Sequence, residues 1–286
     1  MSNKISIVTG ANSGIGKVTA TALAKRGDTV VMMCRNRAKA EAARQEIIQL
    51  SGNSQVEIIQ VDFASQRQIR QAAAQFLNQY NSLDVLVNNA GFLASDKRQL
   101  TEDGIEATFA VNHLGYFLLT GLLMPALEKA AAKNGEARVV CVASEAHRYA
   151  PFRLDNLQLE RGYSGIKAYC ISKLCNILFA AELARRTTGK NIYVNSLHPG
   201  AVNSGFADST PGWFAWLFKI AKPFLISAEE GAATAIYLAT APEVKGISGG
   251  YFYKNRLRRH MIPIATDAQV ARQLWEISEQ LTGFRY

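Results

Sequence analysis

The chain has 286 residues, of which 48% are hydrophobic, and this is enough to bury the core of one large α/β domain or of two small ones. The formal charge of +9 suits a nucleic acid, an anionic membrane or an anionic cofactor as a partner. The basic residues are dispersed, apart from a short cluster at residues 254–259, and no nucleic-acid-binding motif accompanies them. We therefore predict that the chain does not bind nucleic acid.

The cysteines and histidines lack the spacing of a disulfide framework or a metal site. No two of the four cysteines form a C-x-x-C pair, and the four histidines are scattered. We therefore predict a cytoplasmic protein with reduced thiols and no metal. The N-terminus enters an apolar strand without the features of a secretory signal, and no uninterrupted apolar run reaches the ~18 residues needed to cross a bilayer. No transmembrane segment is predicted.

The first part of the chain predicts a strand, a glycine-rich turn and a helix. Residues 4–9 have the apolar pattern of a buried parallel strand, and glycines follow at the spacing G-x-x-x-G-x-G. A helix that begins after such a turn presents unpaired backbone N–H groups to a pyrophosphate, and the glycines allow it to approach closely. A turn without a ligand is the alternative. The candidate cofactor-binding residues here are Gly10, Asn12, Ser13, Gly14, Ile15 and Gly16.

The end of the second predicted strand, residues 29–34, bears on the choice of cofactor. Proteins that bind NAD usually have an acidic residue at this position, which bonds the ribose 2′-hydroxyl. Here Arg35 follows the strand, Arg37 is nearby, and Lys17 lies just past the last glycine of the turn. A guanidinium can hold a 2′-phosphate with two hydrogen bonds, whereas a carboxylate would repel it. These residues favour NADP(H) over NAD(H); solvated loop charges are the alternative.

Two further strand ends carry candidate cofactor-binding residues. The strand predicted at residues 55–61 ends at Asp62 and Phe63, and Asp62 either accepts a hydrogen bond from an adenine amino group or caps the next helix. The strand at 83–87 is followed by Asn88-Asn89-Ala90-Gly91, a sequence that suits a sharp turn beside a ligand. From this turn we select Asn89, Ala90 and Gly91 as binding residues.

Two polar residues stand in otherwise apolar surroundings. Residues 101–121 predict one long helix, and Asn112 is out of place in it because its neighbours are strongly apolar. Its side chain is expected to bond neighbouring backbone or to line a hydrated site. Ser144 follows directly after the fifth predicted strand, residues 139–143. Because open α/β sheets bind ligands at the carboxyl ends of their strands, Ser144 is a candidate site residue.

A tyrosine and a lysine lie four residues apart in a helix predicted to run on to Leu183. At this spacing Tyr169 and Lys173 project from the same face, one turn apart. An ammonium beside a phenol favours the phenolate, so we predict that the pKa of Tyr169 falls from about 10 towards neutrality, as a general acid/base requires. Taken alone the pair is weak evidence, because many helices contain it by chance.

Strand and helix patterns alternate along the chain, which predicts an α/β domain over residues 1–286 with a parallel sheet and helices on both faces. An irregular insertion interrupts this alternation at residues 145–168. A second distinctive segment, residues 204–227, combines aromatic residues with lysines. We interpret it as a mobile lid over an apolar substrate; a helix packed on its own domain, or peripheral contact of residues 211–227 with a membrane surface, is the alternative.

Taken together, these motifs resemble the short-chain dehydrogenase/reductase family over essentially the whole chain. The resemblance rests on residues 9–16 and 88–91, Asn112, Ser144, Tyr169-x-x-x-Lys173 and Pro199-Gly200. The phrases at residues 9–17, 34–36, 111–115 and 143–147 are similar to the retinol dehydrogenase-like branch, whose relatives include light-dependent protochlorophyllide reductases and the oxidoreductase domain of WW-domain oxidoreductases. The family implies a Rossmann fold with a doubly wound sheet of about seven strands.

The resemblance also implies a role for each site residue. Tyr169 would exchange a proton with the substrate oxygen, and Lys173 would lower the pKa of Tyr169 and bind the nicotinamide ribose. Ser144 would bond the substrate oxygen, and Asn112 would anchor a proton-relay water. The cofactor would be contacted by Tyr169 and Lys173, and further along the chain by Pro199, Gly200, Val202 and Ser204.

Three features depart from the family pattern. The interval from Ser144 to Tyr169 is longer than the family's minimal form, so the choice between monomer and oligomer is left open. Ser204 stands where many members have a threonine near the cofactor amide, a change that keeps the hydroxyl. Membrane-bound retinol dehydrogenases carry an N-terminal anchor that is not expected here, which weakens the case for retinal as the natural substrate.

The leading hypothesis is an NADP(H)-dependent oxidoreductase that transfers hydride between the nicotinamide and a carbonyl or alcohol of an apolar substrate, such as a retinal-like, lipid or aromatic compound. A non-catalytic NADP(H)-binding sensor or scaffold is one alternative. A reductase of C=C bonds, as in the protochlorophyllide reductases, is another. Sugar-nucleotide epimerases share Y-x-x-x-K, but their glycine spacing usually differs.

Overall fold

The computed structural model describes residues 4–202 and 226–286, and the strands in this part of the chain form one sheet. The strands are β1 (Ile5–Thr9), β2 (Thr29–Cys34), β3 (Val56–Gln60), β4 (Val85–Asn88), β5 (Ala137–Val142), β6 (Ile192–Leu197), β7 (Tyr251–Tyr253) and β8 (Arg256–Leu257). Their spatial order is β3-β2-β1-β4-β5-β6-β7-β8. Neighbouring strands are parallel except for β7 and β8. The predicted parallel α/β sheet is therefore confirmed.

The eighth strand is an addition to the predicted seven. Lys254 and Asn255 join β7 to β8, and both have positive φ, 49° and 59°. A two-residue hairpin turn with φ above zero at both positions matches the twist of the strands that it connects. The turn folds Arg256–Leu257 back along β7, where the sequence had shown only a basic cluster.

Helices cover both faces of the sheet. In chain order they are α1 (Gly14–Lys25), α2 (Arg37–Ser51), α3 (Gln66–Gln79), α4 (Ala107–Asn134), α5 (Gly165–Arg186), α6 (Ala228–Thr240) and α7 (Ala268–Thr282). One apolar cluster joins the sheet to α1, α2 and α6 through residues such as Leu23, Ile47 and Leu238. A second joins the opposite face to α3, α4, α5 and α7. This is the doubly wound arrangement predicted.

The central strands are buried along their whole length because helices pack on both of their faces. All six residues of β2 and of β5 are buried, as are the four of β4. Strands covered in this way read as continuous apolar runs. The order of connections reverses between β1 and β4, and such a reversal opens a crevice at the carboxyl ends of the strands, where ligands bind in folds of this kind.

The helix that carries Asn112 differs from its prediction at both ends. It begins at Ala107, not at residue 101, because the Glu106 carboxylate accepts hydrogen bonds from the backbone N–H groups of Thr108 (3.0 Å) and Phe109 (2.7 Å) and so caps it. It continues past the predicted end at residue 121 and accommodates Pro125. Between Ala110 and Leu114 the helix is wound as a π-helix.

In the part of the chain that the structure describes, α4 is also the one helix long and apolar enough to cross a membrane. Its most apolar window has a mean hydropathy of 1.3, and 78% of that window is buried inside the protein. The sequence prediction counted uninterrupted apolar runs and so did not single this helix out. Its burial against the sheet accounts for its apolar composition.

The predicted insertion is largely irregular, with two short 3₁₀ turns, Glu145–Tyr149 and Leu154–Asn156. Its last four residues are helical, because Ser164 caps α5 by accepting a hydrogen bond from the backbone of Lys167. The insertion packs against the start of α4 through the buried side chains of Leu157 and Leu159. The predicted lid at 204–227, with Ser204, lies outside the described residues except for its last two positions, which lead into α6.

Candidate active site

The turn between β1 and α1 forms a cradle beside the β1–β4 crevice. Gly10 and Gly14 have φ of 66° and 50°, values that favour glycine. A Cβ at Gly16 would lie 2.4 Å from the Gly10 carbonyl oxygen, so only glycine lets the turn close on the helix. Ser13 is the N-cap of α1, yet among the described residues its side chain makes no capping bond. Its hydroxyl and the N–H groups of the first turn are left for an anionic ligand.

Hydrogen bonds from the end of β4 hold this turn in place. The backbone N–H groups of Asn89 and Ala90 both donate to Thr9 Oγ1 at 2.8 Å, and Asn89 Nδ2 donates to the Thr9 carbonyl at 2.8 Å. A Cβ built on Gly91 would lie 3.6 Å from Lys173 Nζ. The predicted turn after β4 therefore lies between the glycine cradle and the predicted catalytic lysine.

The cationic side chains predicted to favour NADP(H) lie on the rim of the crevice. The Arg35 guanidinium is 76% exposed and lies 3.9 Å from the Asp62 carboxylate. Lys17, by contrast, is paired with Glu46 at 2.6 Å. Arg35 is therefore largely exposed and only loosely paired, whereas Lys17 is held by a shorter ion pair.

The two predicted residues that follow β3 have different surroundings. Asp62 does not cap α3, since Ser65 Oγ accepts the capping bond; Asp62 instead accepts a hydrogen bond from the Ala64 backbone at 2.9 Å. The carboxylate remains partly exposed beside the crevice. The Phe63 side chain is 6% exposed and packs in the core against α4.

The loop after β6 meets the cradle from the other side. Pro199 and Gly200 follow the strand after one intervening residue, His198, and Gly200 has a φ of 96°. A Cβ at Gly231, in α6, would lie 2.5 Å from Val202 and 3.4 Å from Ile15. The predicted residues Val202 and Ile15, far apart in the chain, are therefore neighbours in the structure.

Three predicted catalytic side chains converge at the carboxyl end of β5. The helix α5 places Lys173 Nζ 5.5 Å from the centroid of the Tyr169 ring, so the two residues share a face as predicted. The Ser144 side chain lies beside the Tyr169 hydroxyl and lowers the pKa of this phenol through hydrogen bonding. Lys173 is 3% exposed, and its Nζ donates to the Val142 carbonyl at 3.0 Å.

The pKa of Tyr169 differs from the prediction. Burial raises it to about 12, and the hydrogen bond with Ser144 acts in the opposite direction with a smaller effect. Burial also lowers the pKa of Lys173 to about 8. The predicted fall towards neutrality was therefore wrong for this structure, because desolvation of the phenol is the larger effect. At neutral pH Tyr169 carries its proton and Lys173 its charge.

Asn112 is fully buried within the π-helical part of α4. Its Oδ1 accepts a hydrogen bond from the Phe92 backbone, and its Nδ2 donates to the Phe92 carbonyl and to Ser172 Oγ, each at 3.0 Å. Of the two expectations for this side chain, bonding to neighbouring backbone is the one found. Asn112 thus ties the segment after Gly91 to α5, and π-helical turns often occur at such functional positions.

Several residues that support the site were not predicted. Burial raises the pKa of the Cys34 thiol to about 11, and the backbone of Ala11 and Asn12 in the glycine turn acts in the opposite direction through hydrogen bonding. Asn176 Nδ2 donates to the Val142 carbonyl, the same oxygen that Lys173 binds. The position of Cys34 at the end of β2 was a usable signal, because that strand end lies next to the turn after β1.

A second unpredicted group surrounds the turn that carries Ser144. The His147 ring bonds the Ser144 carbonyl through Nδ1 at 2.7 Å, and the Glu145 backbone N–H donates to His198 Nδ1 at 3.2 Å. The Tyr251 hydroxyl donates to the Glu145 carboxylate at 3.2 Å. His198 and Tyr251 come from two distant segments, so their spacing in the sequence gave no signal.

The sequence profile of the short chain dehydrogenases matches residues 4–213. The chain belongs to the short-chain dehydrogenase/reductase family. It is 42% identical to retinol dehydrogenase 14 of Homo sapiens over 299 residues, covering 99% of this chain and 87% of the relative. It is also 42% identical to the WW domain-containing oxidoreductase of Danio rerio over 296 residues, covering 100% of this chain and 70% of the relative. The predicted family and its retinol dehydrogenase-like branch are confirmed, and this is a family of oxidoreductases.

Solved structures of other short-chain dehydrogenases share the fold. The crystal structure of an uncharacterized protein from Mycobacterium Paratuberculosis aligns with a TM-score of 0.78 at 34% identity, covering 99% of this chain and 94% of that one. A short chain dehydrogenase from Shigella flexneri complexed with NADP aligns with a TM-score of 0.70, covering 88% of this chain and 97% of that one. At 22% identity, the second likeness shows the fold alone.

Proposed function

We propose that this short-chain dehydrogenase/reductase is an NADP(H)-dependent carbonyl reductase or alcohol dehydrogenase that acts on an apolar substrate. The observation that carries the proposal is the convergence of Ser144, Tyr169 and Lys173 beside the glycine cradle. The names of the most similar relatives, which include retinol dehydrogenases, support an apolar alcohol or aldehyde as the substrate class. We also propose that the protein works in the cytoplasm, since its four cysteines are buried and free.

The residues present fit a nicotinamide dinucleotide. Ser13 and the first turn of α1 offer donors that no described side chain uses for capping, and this suits a pyrophosphate. Among the described residues, Lys173 Nζ donates one hydrogen bond, to the Val142 carbonyl, although an ammonium has three donors. Two donors are left for ribose hydroxyls. The exposed Arg35 would hold a 2′-phosphate, which supports NADP(H) over NAD(H).

Each side chain of the site then has a separate role in the reaction. A bound reduced nicotinamide cofactor would supply the hydride. Tyr169, protonated at neutral pH, donates its proton to the carbonyl oxygen as the carbonyl carbon is reduced, so that one hydride and one proton give the alcohol. Ser144 donates a hydrogen bond to the same oxygen, and the Lys173 ammonium stabilises the phenolate that Tyr169 leaves behind. In the oxidation direction each step is reversed.

The test is oxidation of NADPH and NADH with a panel of aliphatic, aromatic and isoprenoid aldehydes and ketones. Tyr169→Phe is expected to lower kcat at least about 100-fold, because general acid catalysis typically contributes that much. Tyr149→Phe is the matched control, since Tyr149 is 80% exposed, and it should keep full activity. Turnover that survives in Tyr169→Phe would refute the assigned acid. Binding of NADPH without turnover of any carbonyl would instead favour a sensor or a C=C reductase.

A further inference from the structure

The turn that carries Ser144 is joined to the ends of β6 and β7 by side chains that the proposed mechanism does not use. The backbone N–H of Glu145 donates to His198 Nδ1, which lies directly after β6, at 3.2 Å. The Glu145 carboxylate accepts a hydrogen bond from Tyr251, in β7, at 3.2 Å. Both bonds fix the residue next to Ser144 to neighbouring strands.

His198 is held so that its Nδ1 faces the Glu145 N–H. Its backbone N–H donates to the Phe252 carbonyl at 2.9 Å, and its ring stacks on Tyr253 with centroids 5.0 Å apart and planes inclined by 29°. A nitrogen that accepts a hydrogen bond from a backbone N–H carries no proton, so His198 is neutral with its proton on Nε2.

The charged and titratable groups around His198 are consistent with this neutral form. Burial is the main cause that lowers the pKa of His198, to about 4, and the nearby His147 and Arg258 lower it further. The Glu145 carboxylate acts in the opposite direction. The acceptor on Nδ1 is therefore present throughout the neutral range of pH.

The position of Ser144 depends on the turn that follows it. Ser144 Oγ accepts a hydrogen bond from the Ala146 backbone at 3.2 Å, and the Ser144 carbonyl accepts one from the His147 backbone at 3.1 Å. Glu145 lies between these contacts. A shift of the Glu145 backbone would therefore change the direction in which the Ser144 hydroxyl points.

We propose that His198 is a positioning residue for the reaction, since its Nδ1 holds the Glu145 N–H and thereby fixes the Ser144 hydroxyl beside Tyr169. His198 lies directly after β6, so this bond joins the turn that carries Ser144 to the end of the neighbouring strand. This inference rests on the proposed function, because it assumes that Ser144 bonds the substrate oxygen.

Two substitutions separate the acceptor from the ring. In His198→Asn, Oδ1 takes the place of Nδ1 and can accept the Glu145 N–H, but the stacking on Tyr253 is lost. In His198→Phe the ring can still stack, but the acceptor is lost and the N–H is left unpaired. His198→Leu is a second variant without an acceptor, in case His198→Phe does not fold.

The proposal predicts that His198→Asn stays within about threefold of the wild-type kcat, whereas His198→Phe and His198→Leu lose about tenfold or more. The Kd for NADPH, measured by fluorescence titration of the same proteins, should change by less than about threefold in all of them. A purely structural role of the ring predicts the opposite order of activities. Full activity of His198→Phe, or equal loss in His198→Asn and His198→Phe, would overturn the proposal.

Ser144→Ala in the same assay distinguishes failure of the proposed function from failure of the positioning role of His198. If Ser144→Ala keeps full activity, the proposed role of Ser144 is refuted, and the positioning role of His198 with it. If Ser144→Ala loses activity and His198→Phe does not, only the positioning role is refuted. A wild-type protein that turns over no carbonyl would refute both.

Discussion

Replacing Lys173 by methionine should inactivate the protein and at the same time stabilise it. Lys173 is 3% exposed, and burial lowers its pKa from 10.5 to about 8. This difference corresponds to a cost of about 3 kcal/mol for keeping the ammonium charged in the native state. Methionine has a similar length and no charge. The Val142 carbonyl keeps a partner after the change, because Asn176 Nδ2 also donates to it at 3.3 Å.

The sign of the pH dependence follows from proton binding in the two states. Between pH 8 and 10.5 the unfolded chain keeps the lysine proton and the native protein has lost it, so the free energy of unfolding of the wild type rises with pH there. Below pH 8 the full cost is present, and above 10.5 it has vanished. The advantage of Lys173→Met should therefore fall from about 3 kcal/mol at pH 7 to about 1 kcal/mol near pH 9.5.

Urea unfolding of both proteins at these two values of pH measures this difference. Lys167→Met is the matched control: Lys167 is an exposed lysine at the start of the same helix, and its replacement should change the free energy of unfolding by less than about 0.5 kcal/mol. If Lys173→Met were less stable than the wild type, or if its gain in the free energy of unfolding were the same at both values of pH, burial would not disfavour the charged form of Lys173.

Three further predictions concern the exposed Arg35, the buried histidines and Asn112. Arg35→Ala should raise the Kd for NADPH about tenfold or more and leave that for NADH unchanged, since a guanidinium binds the 2′-phosphate; equal losses in two fluorescence titrations would contradict this. Burial lowers the pKa of His198 to about 4 and of His113 to about 3, so the unfolded chain binds more protons below pH ~6.5 and stability should fall from there towards pH 4. Urea midpoints should show this fall, and His198→Asn should reduce it; an unchanged slope would contradict it. Asn112→Ala should destabilise the protein by about 1–3 kcal/mol, because it leaves the backbone polar groups of Phe92 unpaired; an unchanged Tm would contradict it.

The sequence was sufficient to predict the central strands and the glycine turn. Helices cover β1, β2, β4 and β5 on both faces, so their apolar runs have clear ends. It was not sufficient for the start of α4, because the cap depends on Glu106, whose carboxylate and backbone N–H are held by Tyr163 and Gln158 from the distant insertion. The hairpin to β8 likewise depends on positive φ at both Lys254 and Asn255. Asparagine commonly adopts such values in hairpin turns but lysine does not, so the pair was not recognised as a turn.

Within the site, the sequence predicted what is local and missed what depends on burial. The four-residue spacing was enough to place Tyr169 and Lys173 on one face of α5. The pKa values of both groups depend on how far the whole fold excludes water, which spacing does not report, and so the direction predicted for Tyr169 was wrong. The contact between Glu145 and His198 joins residues 53 positions apart and could not be seen in either segment alone.

Two buried residues of the site should respond to substitution with opposite signs, and this distinguishes chemistry from support. The ammonium of Lys173 is buried away from water, and among the described residues it donates a single hydrogen bond, to the Val142 carbonyl. The fold therefore keeps this charge at a cost in stability. The amide of Asn112 is satisfied on both its oxygen and its nitrogen by Phe92 and Ser172, so it stabilises the fold while it shapes the site. A substitution that lowers activity and raises stability has removed a group kept for the reaction. One that lowers both has removed a group that holds the others in place.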